Sequence, residues 1–113
     1  MTRVLFVISS DPRVSHRPAE AIRIAAGVGA WKRTDITVCL REAAVLVLSD
    51  SGQGLVDEEN FTQYLPMLRD FGRPIYIQRG ARLPANPIPF ELQEIDDVQL
   101  AALAAKSECV LHF

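Results

Sequence analysis

The chain has 113 residues, of which 49% are hydrophobic. That suffices for one domain with its own core and is too apolar for a disordered chain. Its 12 basic and 14 acidic side chains leave a net charge of −2, which makes no electrostatic case for a nucleic-acid or anionic-membrane surface.

Val4-Leu5-Phe6-Val7-Ile8 is a continuous β-branched and aromatic run and predicts a buried central strand. It is too short for a signal-peptide core, and no stretch approaches the ~20 apolar residues of a membrane span. Ser9-Ser10-Asp11-Pro12 ends the strand with turn residues. Ser15 is placed to cap a helix, with Pro18 in its first turn and Ala21, Ile22, Ile24, Ala25 and Val28 along one face. Gly27 and Gly29 weaken its last turn, so it should stop near Ala30 or Trp31. Residues 35–40 form the second strand.

Residues 41–48 are ambiguous between a third strand and a short buried helix. The helix is favoured, because the connection after Leu40 is too short for a crossover between parallel strands. Residues 49–54 read as a loop. From Glu58 to Phe71, the residues Phe61, Tyr64, Leu65 and Leu68 share one helical face, with acid at the N-terminus and Gly72 at the end. Pro66 inside it predicts a kink or a broken first turn. Residues 74–78 form the next strand, and 83–89, with three of the seven prolines, a loop ordered by packing. Asp96 or Asp97 caps a final helix through Lys106, and residues 108–113 form the last strand. Strands alternating with helices predict a single α/β domain, 1–113. It is a layered fold with a mostly parallel sheet covered by helices on both faces.

With these residues, that element order resembles the DsrE/DsrF-like sulfur-relay family, most closely its TusC/DsrF-type subunit. The likeness starts in Met1 to Ser10, which is similar to that subunit's opening strand and Ser-rich turn, and continues in Pro18 to Ile22 of the first helix. It runs on through 35–40, Tyr64 to Gly72, Ile75-Tyr76-Ile77, the Gln78-Arg79-Gly80 loop and the Val110-Leu111-His112-Phe113 ending. The resemblance implies a flavodoxin-like fold and a subunit of an oligomer, homomeric or built with DsrE/DsrH-like partners. It also implies a role in passing persulfide sulfur between proteins in the cytoplasm. The family's active subunits carry a cysteine after the third strand. Here that stretch reads Gln78-Arg79-Gly80-Ala81, without the thiolate that a persulfide carrier needs.

The two cysteines present are Cys39 and Cys109. They form no CxxC, so neither a disulfide scaffold nor a zinc site is expected, and a reducing cytoplasm is the default. Each lies in an apolar run and reads first as a small buried hydrophobe. Cys109, near a strand start and next to Glu108, is the better candidate for a reactive thiol. The loop after the first strand offers Ser9, Ser10, Arg13, Ser15, His16 and Arg17, where doubly wound sheets bind ligands. Its hydroxyls, amides and guanidinium groups could hold an anion, yet it has no glycine, and Pro12 and Pro18 delete two donors. A plain connecting loop is the alternative.

Ser10, Asp11 and His16 lack the spacing and the G-x-S-x-G of a hydrolase. His112 reads as an edge or interface residue rather than a metal ligand. Gly52-Gln53-Gly54 lacks the third glycine of a dinucleotide fingerprint, and Asp50 lacks the acidic pair and the lysine of a phosphoacceptor site. Val45 to Leu48, with Leu55 and Val56, form an apolar patch destined for a subunit interface or for the core. No cofactor is expected. The sequence therefore points to a non-catalytic docking subunit of a sulfur-transfer complex. Its alternatives are an anion-binding module using the loop after the first strand and a persulfide carrier through Cys109 or Cys39.

Overall fold

The computed structural model describes residues 2–31, 33–49 and 54–113. Five strands form one sheet: β1 (Thr2–Ile8), β2 (Thr34–Leu40), β3 (Ile75–Gln78), β4 (Leu92–Ile95) and β5 (Cys109–His112). Their spatial order is β4-β3-β2-β1-β5, and every pairing is parallel. The helices are α1 (Arg17–Gly29), α2 (Glu58–Asp70) and α3 (Asp97–Lys106). A 3-10 segment, Glu42–Leu48, follows β2 directly, in place of a further strand.

The topology dictates an uneven division of helices between the faces. The chain steps one way across the sheet from β1 to β4, then returns to the far side of β1 as β5. Parallel crossovers are right-handed, so the three forward connections lie on one face and the single return on the other. Helices α1 and α2 accordingly pack together over Phe6, Ile8, Val38, Leu40 and Ile77. The third forward connection, 79–91, contains no helix. Ile88 and Phe90 from this proline-rich loop cover the same face instead, and the Ile88 amide donates to the Leu48 carbonyl at 2.7 Å.

The opposite face holds a small cluster of Leu5, Val7, Cys39 and Ile95 beneath α3. Asp96 caps α3: its carboxylate accepts from the Gln99 amide, and the Gln99 side chain accepts from the Asp96 amide.

Several expectations need correction. The first helix begins at Arg17, and Ser15 serves it by accepting from the Arg17 amide at 3.1 Å rather than as its N-cap. Helix α2 runs through Pro66 as one element, with the ring on its exposed side. Strand β4 has no counterpart in the sequence reading. Of the two outlets open to the apolar patch, the core takes Val45, Val47 and Leu48, which leaves little of residues 45–48 for another subunit. Among the described residues, no helix is long and apolar enough to cross a membrane.

Candidate functional site

The carboxyl ends of the parallel strands carry the loops after β1, β2 and β3, the usual place for ligands in open α/β sheets. The strand order reverses between β1 and β5, and that crevice is filled by the chain itself. The Phe113 amide donates to the Val7 carbonyl at 2.9 Å, while the Ser9 and Ser10 amides donate to the Phe113 carbonyl at 2.8 and 3.3 Å. The Phe113 ring stacks on Phe6 at 6.0 Å with an 8° interplanar angle. Arg17 lies over that ring and donates to the His112 carbonyl at 3.0 Å.

The six residues singled out in this loop thus separate. Ser9, Ser10 and Arg17 gather around Phe113. Ser15 and His16 sit at the start of α1, and the His16 side chain makes no capping hydrogen bond. Arg13 turns away and grips Asp11 through three hydrogen bonds of 2.7–3.2 Å. That bonding holds the Asp11 carboxyl below, and the Arg13 guanidinium above, their ordinary values.

The two thiols differ sharply. Cys39 is 1% exposed, in the middle of the sheet, and burial pushes its pKa up to about 11 against an ordinary 9.0. Cys109 is exposed, contrary to the expectation from its apolar run, because β5 is an edge strand. Its backbone pairs with Val4, away from the carboxyl ends of the strands. His112 lines a cleft of about 270 Å³ with Ser9 and the Arg41–Asp97 ion pair beneath α3. No group of three metal-ligating side chains occurs among the described residues. Asp50, Gly52 and Gln53 lie outside them.

Gln78 ends β3, and its side-chain oxygen accepts from the Glu42 amide at 2.8 Å. This bond ties the β3–β4 turn to the start of the 3-10 segment. Glu42 is held there at φ 53°, a left-handed conformation that costs a residue with a side chain about 1 kcal/mol or more. Gly80, at φ 81°, takes the turn without that cost. Between these walls lies a cleft of about 490 Å³, rimmed by Arg13, Arg79 and Arg82. The sequence reading reached Gln78, Arg79 and Arg13 but missed Glu42 and Arg82. A glycine flanked by arginines at a strand end was the available signal.

Taken together, the all-parallel order, the single return helix and the loops at the strand ends define a flavodoxin-like α/β layer domain. The chain is similar to the crystal structure of the ychN protein from E. coli, with a TM-score of 0.80 over 100% of both chains and 20% sequence identity. At that identity the likeness establishes the fold, and it does not extend to the TusC/DsrF subtype. No protein-family model and no curated protein matches the chain.

Proposed function

We propose that the chain is a non-catalytic, DsrE-like subunit in intracellular persulfide transfer, a docking partner for a thiol-bearing carrier. The observation that carries this reading is Gln78. At the strand end where the resemblance calls for a nucleophile, the side chain is an amide committed to the Glu42 backbone. An amide cannot form a persulfide, and the buried Cys39 thiol has neither access nor thiolate character.

Two surfaces support a docking role. Strand β5 is an open edge. Beside it, α3 buries none of its residues and turns Val98, Ala101, Ala102 and Ala105 to solvent, an apolar face that favours a protein partner. Exposure of Cys109 favours a second reading, in which that thiol accepts the sulfur.

One experiment separates the two readings. The chain is mixed with a persulfide-loaded DsrE-type carrier, and intact and native mass spectra are recorded. The docking role predicts a complex in which the native chain gains no sulfur, while Gln78→Cys does. A one-sulfur gain that Cys109→Ser abolishes would establish the carrier reading. Absence of any complex would remove the docking role.

A further inference from the structure

The cleft beside Gln78 has the construction of a small-molecule site, independently of any role in sulfur relay. Its two walls are fixed before a ligand arrives. Glu42 is tied to Gln78, the Arg79 amide donates to the Ile95 carbonyl at 2.9 Å, and the Ala81 amide donates to the Gln78 carbonyl at 3.0 Å. Its floor is apolar, with Val45 buried and Ala81 half-buried. At about 490 Å³ it falls within the range of ~300–1,000 Å³ usual for ligand sites.

The charges that line the cleft are three guanidinium groups and one carboxylate, Glu42. Asp11 and Asp96 pair with Arg13 and Arg79, at 2.7 and 3.6 Å, and neither acid lines the cleft. Arg82 has no acidic partner among the described residues. An arginine paired along one edge keeps further N–H donors for a planar or tetrahedral anion. A strained non-glycine residue held in a cleft wall is itself a pattern of binding sites.

We propose that this cleft binds a small organic phosphate, with the phosphate on Arg79, Arg82 and Arg13 and a short apolar body on Val45 and Ala81. The excess of cationic over anionic lining groups matches a dianion, and the floor matches an uncharged body. The three loops that wall the cleft suit a compact molecule better than a long acidic peptide.

The test is isothermal titration of the full chain at low ionic strength with inorganic phosphate, phenyl phosphate and hexaglutamate. Phenyl phosphate is expected to bind roughly tenfold tighter than inorganic phosphate, because its ring leaves water on the apolar floor. Arg82→Gln should weaken it about five- to tenfold by removing charge-assisted hydrogen bonds. Arg33→Gln, a change outside the cleft, should leave it unaltered. Both variants alter exposed side chains, and circular dichroism checks their folding. No saturable binding of phenyl phosphate, or equal binding by Arg82→Gln, would overturn the proposal. Hexaglutamate binding tighter than phenyl phosphate would overturn it in favour of an acidic partner segment. Because the titration contains only this chain, its outcome is separate from complex formation with a carrier.

Discussion

The two faces of the sheet are built to different standards. Over one lie α1, α2, the 3-10 segment and the proline-rich loop, and the large side chains beneath them are almost fully buried. Over the other lies α3 alone, which contributes no buried residue of its own. Geometry explains the shortfall. A crossover helix lies roughly along the strands, so α3 covers a width equal to its own diameter, ~10 Å. Five strands spaced ~4.8 Å apart make a sheet about 19 Å wide. One such helix cannot cover the face from edge to edge. The amino-terminal part is covered instead by Arg73, which pairs with Asp35 at 2.8 Å and lies 3.5 Å from the Thr37 hydroxyl. Stability is therefore expected to reside in the thick face. The thin face, continuous with the open β5 edge, is the side on which a partner chain could add coverage.

The largest effect that could break this comparison comes from paired truncations. Phe6 is fully buried under the thick face and stacked on Phe113, so Phe6→Ala should cost about 3–5 kcal/mol. Leu103, on the inner side of α3, is half-buried against the thin face, and Leu103→Ala should cost only about 1 kcal/mol. Urea denaturation of both variants measures the difference. Equal losses would mean that α3 is as well packed as α1 and α2.

Next in size is the pH dependence contributed by Cys39. Its folded pKa of about 11 lies above the ordinary 9.0 of an unfolded chain, so between these values the unfolded state releases a proton that the folded state keeps. The associated stability is fully present below pH 9 and declines as pH rises toward 11, by at most about 2–3 kcal/mol. Cys39→Ala should remove that decline while leaving the contribution of other groups. A difference between the two proteins that stays constant from pH 8 to about 11 would contradict this linkage. Thiol labelling supplies a cheaper check: Cys109 should react with a maleimide in the native protein, and Cys39 only after unfolding.

What could be read from the sequence divides along the same line. The thick face was legible because its elements carry one clean period each. Val4 to Ile8 is an unbroken apolar run, and Phe61, Leu65 and Leu68 repeat at helical spacing. Strand β4 was not, because Leu92 and Ile95 are three residues apart and fall on opposite faces, with Gln93 and Glu94 between them. Nothing in that pattern alternates. Cys109 misled for a related reason: apolar neighbours imply burial in a central strand, and edge position is a property of topology. At the candidate site, Gln78 was found through the thiol it replaces. Glu42 and Arg82 join it only when three loops converge. No local rule announces a left-handed glutamate.

The smallest expected effect tests whether α3 is held by its cap or by its packing. The carboxylate of Asp96 accepts the Gln99 amide at 2.8 Å, and the Gln99 side chain returns a bond to the Asp96 amide at 2.9 Å. Asp96→Ala removes the carboxylate half of this box, leaves the backbone amide at that position free to donate to Gln99, and should cost about 1 kcal/mol. On the thick face such a loss would spread through a cooperative core and accelerate exchange only by global unfolding. A helix with no buried residue has little packing to resist local opening. Amide hydrogen exchange in Asp96→Ala should therefore quicken several-fold across residues 97–106 while β1 and α1 keep native protection at the same denaturant concentration. Uniform acceleration of all three elements would show that α3 opens only with the whole domain. The thin face would then be an energetic equal of the thick one, although α3 contributes no buried side chain to it.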